Sequence, residues 1–383
     1  MRRLEEYISA GGKLLRCGYT TGTCAAAATR AAAELLLGNV TVPSVEVTTP
    51  SGITAIVEIE EAELGECWAR CSVMKDAGDD ADVTDGVLVH ALVRRVDEPG
   101  VFVDGGCGVG RVTRPGLDQP IGAAAINSVP RAMIVREAQA AADAYGYQGG
   151  LDVEISIPAG VDLAAKTFNP RLGIEGGISV LGTSGIVRPM SEEALVATIK
   201  LELGMLRASG VTDVILVPGN YGRDFALGRL GLSEAHIVSC SNYLGAAIDE
   251  AARLGFASLL LVGHLGKLVK VAGGVMNTHS RVADCRMEVL AAHAALAGAS
   301  PAAVADIMDA ATTDAALDVM RREGLLERAM ASMTLRLGEH LARRGGDMVA
   351  EAVVFSQVHG IVGMTAGAKA LCALHKDDEG RGA

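Results

Sequence analysis

Four short apolar runs after about Gly160 each end on a polar loop rich in glycine or asparagine. Ile178 to Leu181 leads into Gly182-Thr183-Ser184-Gly185, and Val214 to Val217 into Pro218-Gly219-Asn220-Tyr221-Gly222. Ile237 and Val238 precede Ser241-Asn242, and Leu259 to Val262 precedes Gly263-His264-Leu265-Gly266-Lys267. A run without polar alternation suits a strand buried on both faces, and helix-like segments separate these runs. The pattern therefore predicts a doubly wound, Rossmann-like α/β domain. Ligands of such sheets lie beyond the carboxyl ends of the strands. That places a cofactor cleft at Gly182, Thr183, Gly219, Asn220, Gly222, Gly263 and His264. His264 also titrates near neutrality, so it is the candidate catalytic residue, for proton handling or for holding the cofactor.

The first half reads differently. Thr21 or Thr23 is a natural N-cap for an alanine-rich helix through Leu37. Val40 to Glu60 alternates around Pro50-Ser51-Gly52, the pattern of a β-hairpin. Strands are expected near Trp68 to Met74, Val87 to Val96, Gly100 to Asp104 and Leu151 to Ile157, with a helix from Pro130 to Gly146. Strands interrupted by only two helices make an α+β domain. The expected division is an α+β domain over 1–165, an α/β domain over 166–375, and a solvated tail over 376–383. A last strand is expected at Ala352 to Phe355.

Composition narrows the function. The chain has 383 residues, half of them hydrophobic, so it can bury a large core and is not disordered. A net charge of -12 with one Trp argues against nucleic acid and anionic membrane as partners. Ala352 to Ala368, a stretch free of Asp, Glu, Lys and Arg that no other exceeds in length, holds His359, Gln357 and three glycines, a poor membrane span. Met1 to Lys13 lacks the apolar stretch of a secretory signal. Eight scattered cysteines without paired C-x-x-C spacing read as reduced cytosolic thiols, so the expected location is the cytoplasm and no metal site is expected.

The segment Asp104-Gly105-Gly106-Cys107-Gly108-Val109-Gly110 fits a nucleotide-binding turn, but Arg111-Val112-Thr113-Arg114-Pro115-Gly116 after it is no helix start. The plainer reading is a mobile glycine loop. Arg111 and Arg114 suit carboxylate recognition, or are two surface arginines. Asp76 to Asp82 lacks the spacing of a calcium loop and reads as a solvated acidic turn. His264, His279 and His293 do not have helical metal-pair spacing; His279 reads as a cap-region residue and His293 as packing. No P-loop and no Gly-x-Ser-x-Gly elbow occurs.

Six strings stand in order: Cys17-Gly18-Tyr19-Thr20-Thr21-Gly22-Thr23-Cys24, Lys75-Asp76-Ala77-Gly78-Asp79-Asp80, Gly108-Val109-Gly110-Arg111-Val112-Thr113, Lys166-Thr167-Phe168-Asn169-Pro170-Arg171-Leu172-Gly173, Pro218-Gly219-Asn220-Tyr221-Gly222, and Gly263-His264-Leu265-Gly266-Lys267-Leu268-Val269-Lys270. Together they closely resemble the cobalt-precorrin-5B C1-methyltransferase family (CbiD) of anaerobic cobalamin biosynthesis, over roughly Leu15 to Gly367. The chain departs from the family pattern at Cys107, Ala81, Asp85, Ala123-Ala124 and Ser128. The resemblance implies methyl transfer from S-adenosylmethionine to C1 of a corrinoid whose cobalt belongs to the substrate. The α/β domain would take the S-adenosylmethionine and the α+β domain would face the corrinoid. Thr20, Thr21, Arg111, Arg114, Lys166, Asn169, Arg171 and Lys267 are then the candidates for substrate binding, because a corrinoid rim carries many carboxylates. Two rival readings are a non-catalytic corrinoid or tetrapyrrole carrier and a nucleotide-dependent ligase or kinase. A homo-oligomer is left open.

Overall fold

The computed structural model describes residues 4–10, 12–167, 169–170 and 172–376. It is a mixed α/β protein of two compact units, Met1–Glu192 and Glu193–Ala383. The expected boundary after 165 lies too early. Three short pairings hold the following segment in the first unit: Gly108–Val109 with Gly177–Ile178, Arg111–Val112 with Ile174–Glu175, and Gly18–Tyr19 with Ile186–Val187. The expected tail falls mostly outside the described residues, although Lys376 bridges to Leu232.

In the first unit, the helix Thr21–Gly38 starts where Thr20 Oγ1 accepts the Thr23 amide at 3.2 Å. Its alanines are buried almost completely, because the helix Ser128–Ala144, the sheet and the hairpin Ser44–Thr48/Thr54–Glu58 all pack on it. Small side chains let these elements approach closely on several sides. The five-stranded sheet runs in the order Glu61–Leu64, Trp68–Met74, Leu88–Val96, Gly150–Ser156, Val101–Gly105. Only its last pair is parallel.

Two loops of this unit differ from expectation. The glycine loop after Asp104 is a packed junction rather than a mobile one. A Cβ on Gly108, which has φ +75°, would lie 1.8 Å from the Ile157 carbonyl oxygen, and one on Gly177 would lie 2.3 Å from Gly108. The glycines therefore let backbones meet each other, which a ligand-binding turn also requires and which sequence cannot distinguish. The acidic turn is likewise built in. Lys75 is buried and donates from Nζ to Asp82 at 2.6 Å, while Arg16 forks onto Asp76 at 2.6 and 2.7 Å.

The second unit holds a sheet in the order Ile237–Ser239, Asp213–Val217, Ser258–His264, Val349–Ser356, Gly360–Met364. The first four strands are parallel and the last is antiparallel. Alternate residues enter two cores. Val214, Leu216, Leu259, Leu261 and Val354 face one; Ile215, Val217, Leu260, Val262 and Phe355 face the other. Burial on both faces explains the continuous apolar runs of the sequence. The chain turns outward after Asp213–Val217 to form one edge, then crosses back to place Ser258–His264 on its other side. The carboxyl ends of these two central strands therefore flank a topological switch point.

Candidate functional site

A cleft of about 1070 Å³ opens at that switch point. Its walls come from the loop Pro218–Gly222, from Asn242, from His264 to Lys270, from Thr278 to Ser280, and from Ala311 to Asp314. Each strand end turns directly into a helix. Gly219 precedes the helix Asn220–Gly228 with φ 122° and ψ -179°, a backbone region open essentially only to glycine. His264 caps the helix Leu265–Ala272, its Nδ1 accepting the Gly266 amide at 3.1 Å. Thr312 caps the helix Thr313–Arg322 by accepting the Ala315 amide at 3.1 Å. Three helix amino ends thus line one cleft and give it outward-facing amides and partial positive charge.

His264 has a defined proton arrangement. Accepting at Nδ1 leaves Nε2 as the protonated nitrogen of the neutral ring. Burial pushes its pKa below the usual imidazole value, with Asp314 pulling it back up. Its ring stands edge-on to Phe355, centroids 5.6 Å apart. A neutral imidazole protonated at Nε2 can donate a hydrogen bond from that nitrogen.

Lys267 belongs to this cleft as well, among the groups expected for the cofactor rather than apart from them. Its Nζ donates to the Pro218 carbonyl at 2.6 Å and to the Ser241 carbonyl at 3.4 Å. One ammonium therefore ties together the loops after the two neighbouring strands. Burial lowers its pKa. Lys270 donates to the Thr278 carbonyl at 3.0 Å. Asn242 accepts from Thr278 Oγ1 at 3.3 Å, so the 241–242 loop and the 277–280 segment brace each other. His279 behaves as expected of a cap-region residue, its Nδ1 accepting the Arg281 amide at 3.1 Å. His293 is buried against Ser332, 2.9 Å away.

Of the expected cofactor residues, Gly219, Asn220, Gly222 and His264 line the cleft. Gly263 lies behind it: a Cβ there would come within 2.9 Å of Leu268. Gly182 and Thr183 stand in the first unit and do not belong to this sheet. Gly182 packs on Thr20, where a Cβ would approach Oγ1 to 2.3 Å. An apolar run followed by glycines does not state which sheet it joins, and here the run pairs within the first unit.

The other expected substrate residues, among those described, are in the first unit. Thr20 and Thr21 are buried, and Thr21 Oγ1 both donates to the Leu181 carbonyl at 3.2 Å and accepts its amide at 3.0 Å. These hydroxyls hold the 181–185 loop to the helix start. Arg111 forks onto Asp104 at 2.7 and 2.9 Å and also donates to the Gly105 carbonyl at 2.7 Å. Asn169 is buried and accepts from Ser179 at 3.3 Å. Arg114, whose stem lies over Gly173, and Lys166 are exposed. Arg171 lies outside the described residues. Missed altogether was the wall at Ala311 to Asp314. The run Thr312-Thr313-Asp314 does carry a helix-start signature, but nothing local says that this helix starts at the cleft.

The CbiD family model matches residues 8–189, and the model described as CbiD, C-terminal domain, matches 277–366. A cobalt-precorrin-5B C(1)-methyltransferase of Ruminiclostridium cellulolyticum is 48% identical over 357 residues, 93% of each chain. One of the same name from Thermoanaerobacter sp. is 47% identical over 84% of this chain and 87% of its own. A crystal structure of a cobalamin biosynthesis protein (cbiD) from Archaeoglobus fulgidus is 28% identical, with 72% of this chain and 86% of that one covered and a TM-score of 0.39.

Proposed function

The chain belongs to the CbiD family, and from that premise we propose that it methylates C1 of cobalt-precorrin-5B with S-adenosylmethionine, in anaerobic cobalamin biosynthesis. The observation that carries the reading is identity of 48% across 93% of a relative bearing that name, joined to a built cleft at the switch point of a parallel sheet. We read the second unit as Rossmann-like and doubly wound, and the first as the α+β, corrinoid-facing unit.

The cleft fits the methyl donor. Its volume of about 1070 Å³ admits a nucleoside-sized ligand. Helix amides and Gly219 allow close backbone approach to the donor's carboxylate and ribose, and His264 Nε2–H and Asn242 add directed polar groups. S-adenosylmethionine supplies an activated methyl on sulfur, which needs no nucleophile from the protein. What remains for the chain is orientation, and placing reactants about 3 Å apart and aligned supplies several kcal/mol of barrier reduction. Lys267 contributes by locking the Pro218 and Ser241 loops in one arrangement. Of the expected cations described in the first unit, Arg114 and Lys166 are exposed and available for corrinoid carboxylates, whereas Arg111 is already held by Asp104.

The test is incubation of the purified protein with cobalt-precorrin-5B and S-adenosylmethionine carrying an isotopically labelled methyl group. Mass spectrometry should show the corrinoid gaining one labelled methyl, with S-adenosylhomocysteine released in equal amount. A corrinoid that binds and returns unlabelled would leave the carrier reading instead. The ligase or kinase alternative would show as stabilisation by ATP and none by S-adenosylmethionine.

A further inference from the structure

The charged groups around the cleft are not equally satisfied. Lys267 and Lys270 donate to backbone carbonyls, and Arg286 forks onto Asp284 at 2.7 and 2.8 Å. Asp314 differs. It lies on the cleft wall, half-buried, in the first turn of the helix Thr313–Arg322. Its Oδ1 accepts from Ser356 Oγ at 2.5 Å. Ser356 Oγ in turn accepts the amides of Val358 and His359 at 3.0 and 3.1 Å, so its single proton is directed at Asp314. The carboxylate is therefore held in place by a neutral group. Among the described residues no Lys or Arg pairs with it, and no donor reaches its second oxygen. Asp318, one turn further on, points elsewhere, 3.4 Å from His359.

A positioned, half-buried carboxylate without a counter-ion, facing a cleft, calls for a cation from the ligand. We propose that Asp314 reads the positive charge of the donor's sulfonium, and so distinguishes the methyl donor from its demethylated product. The proposal rests on the reading above that this cleft holds S-adenosylmethionine. A sulfonium neither donates nor accepts a hydrogen bond in the ordinary way, so charge is the property a protein can read in it. Donor and product share the adenosine, the ammonium and the carboxylate; they differ at sulfur in the methyl and the charge. Asp314 would hold the donor and lose its attraction once the methyl has left, which favours product release. Ser356 is then a positioning residue that aims Asp314.

The test is calorimetric titration of S-adenosylmethionine and of S-adenosylhomocysteine into the wild-type chain, Asp314→Asn and Ser356→Ala, with thermal melts to confirm folding. Asp314→Asn keeps the shape and removes the charge. Donor affinity should fall about tenfold or more, while product affinity changes less than about twofold. Ser356→Ala should move donor affinity in the same direction by a smaller factor. Equal losses for both ligands in Asp314→Asn, or no loss for either, would overturn the proposal. If the wild-type chain bound neither ligand, the failure would be that of the methyltransferase reading itself.

Discussion

Gly219→Ala isolates a single backbone requirement at the cleft. Gly219 sits at φ 122° and ψ -179°, and the nearest atom to an added Cβ is Lys267 Nζ at 3.8 Å. That is ordinary van der Waals contact, so the whole effect comes from forcing an alanine into a glycine-only conformation. Such a residue costs on the order of 1–3 kcal/mol. For a cooperative unit of this size each kcal/mol lowers Tm by about 2–4 °C, so the expected drop is about 2–12 °C. If the chain relaxes instead by flattening the turn, the Asn220 amide shifts from the cleft and donor affinity falls with stability. Gly204→Ala is the control. Gly204 lies inside the helix Glu192–Ala208 with no heavy atom within 4 Å of an added Cβ. There alanine should stabilise by about 0.8–1.0 kcal/mol. Thermal unfolding followed by circular dichroism should show opposite signs for the two variants. A Gly219→Ala protein that melts at or above the wild-type temperature would refute the reasoning.

Two further predictions concern buried charge. Lys75, with 1% of its side chain exposed, pairs with Asp82 at 2.6 Å. Burial alone would raise the Asp82 pKa, but Lys75 and the Thr84 hydrogen bonds outweigh it and hold it low. Lys75→Met strands that carboxylate and should destabilise the first unit by about 3–5 kcal/mol in urea unfolding; a loss under about 1 kcal/mol would contradict the account. His375 is fully buried beside His236, their Nδ1 atoms 3.1 Å apart. Burial, and then His236, push its pKa down to about 4 from 6.5. The folded state therefore disfavours the proton. This contribution is complete above about pH 6.5 and is lost as pH falls toward about 4, by about 3 kcal/mol at most. His375→Phe should flatten stability against pH across that window, and an unchanged slope there would count against it.

Much of this was legible in the sequence because the signals were local. Thr21 and Thr23 ahead of an alanine run gave away the first helix, although its cap is Thr20 rather than either of them, and the unbroken apolar runs at 214–217 and 259–262 gave away central strands. The strand-end loops at 218–222 and 264–267, expected on the same local signal, both contribute walls to one cleft. What failed was long-range. Gly182 to Gly185 looked like another strand-end loop, yet its preceding run pairs within the first unit. The glycines at 105–110 looked like a mobile loop, yet they let the backbones of Gly108, Ile157 and Gly177 touch. Asp314 was invisible as a cleft residue. Its helix follows the central strand Ser258–His264 by several others, and only the return of the chain to Val349–Ser356 brings Ser356 up to aim it.

Amide hydrogen exchange with and without S-adenosylhomocysteine tests most directly whether the switch-point cleft is the donor site. The account expects slowed exchange in peptides covering 218–224, 240–244, 263–270 and 311–316. It expects no change over 105–111 and 182–185. Protection confined to those first-unit segments, with the strand-end loops of the second unit unaffected, would contradict it.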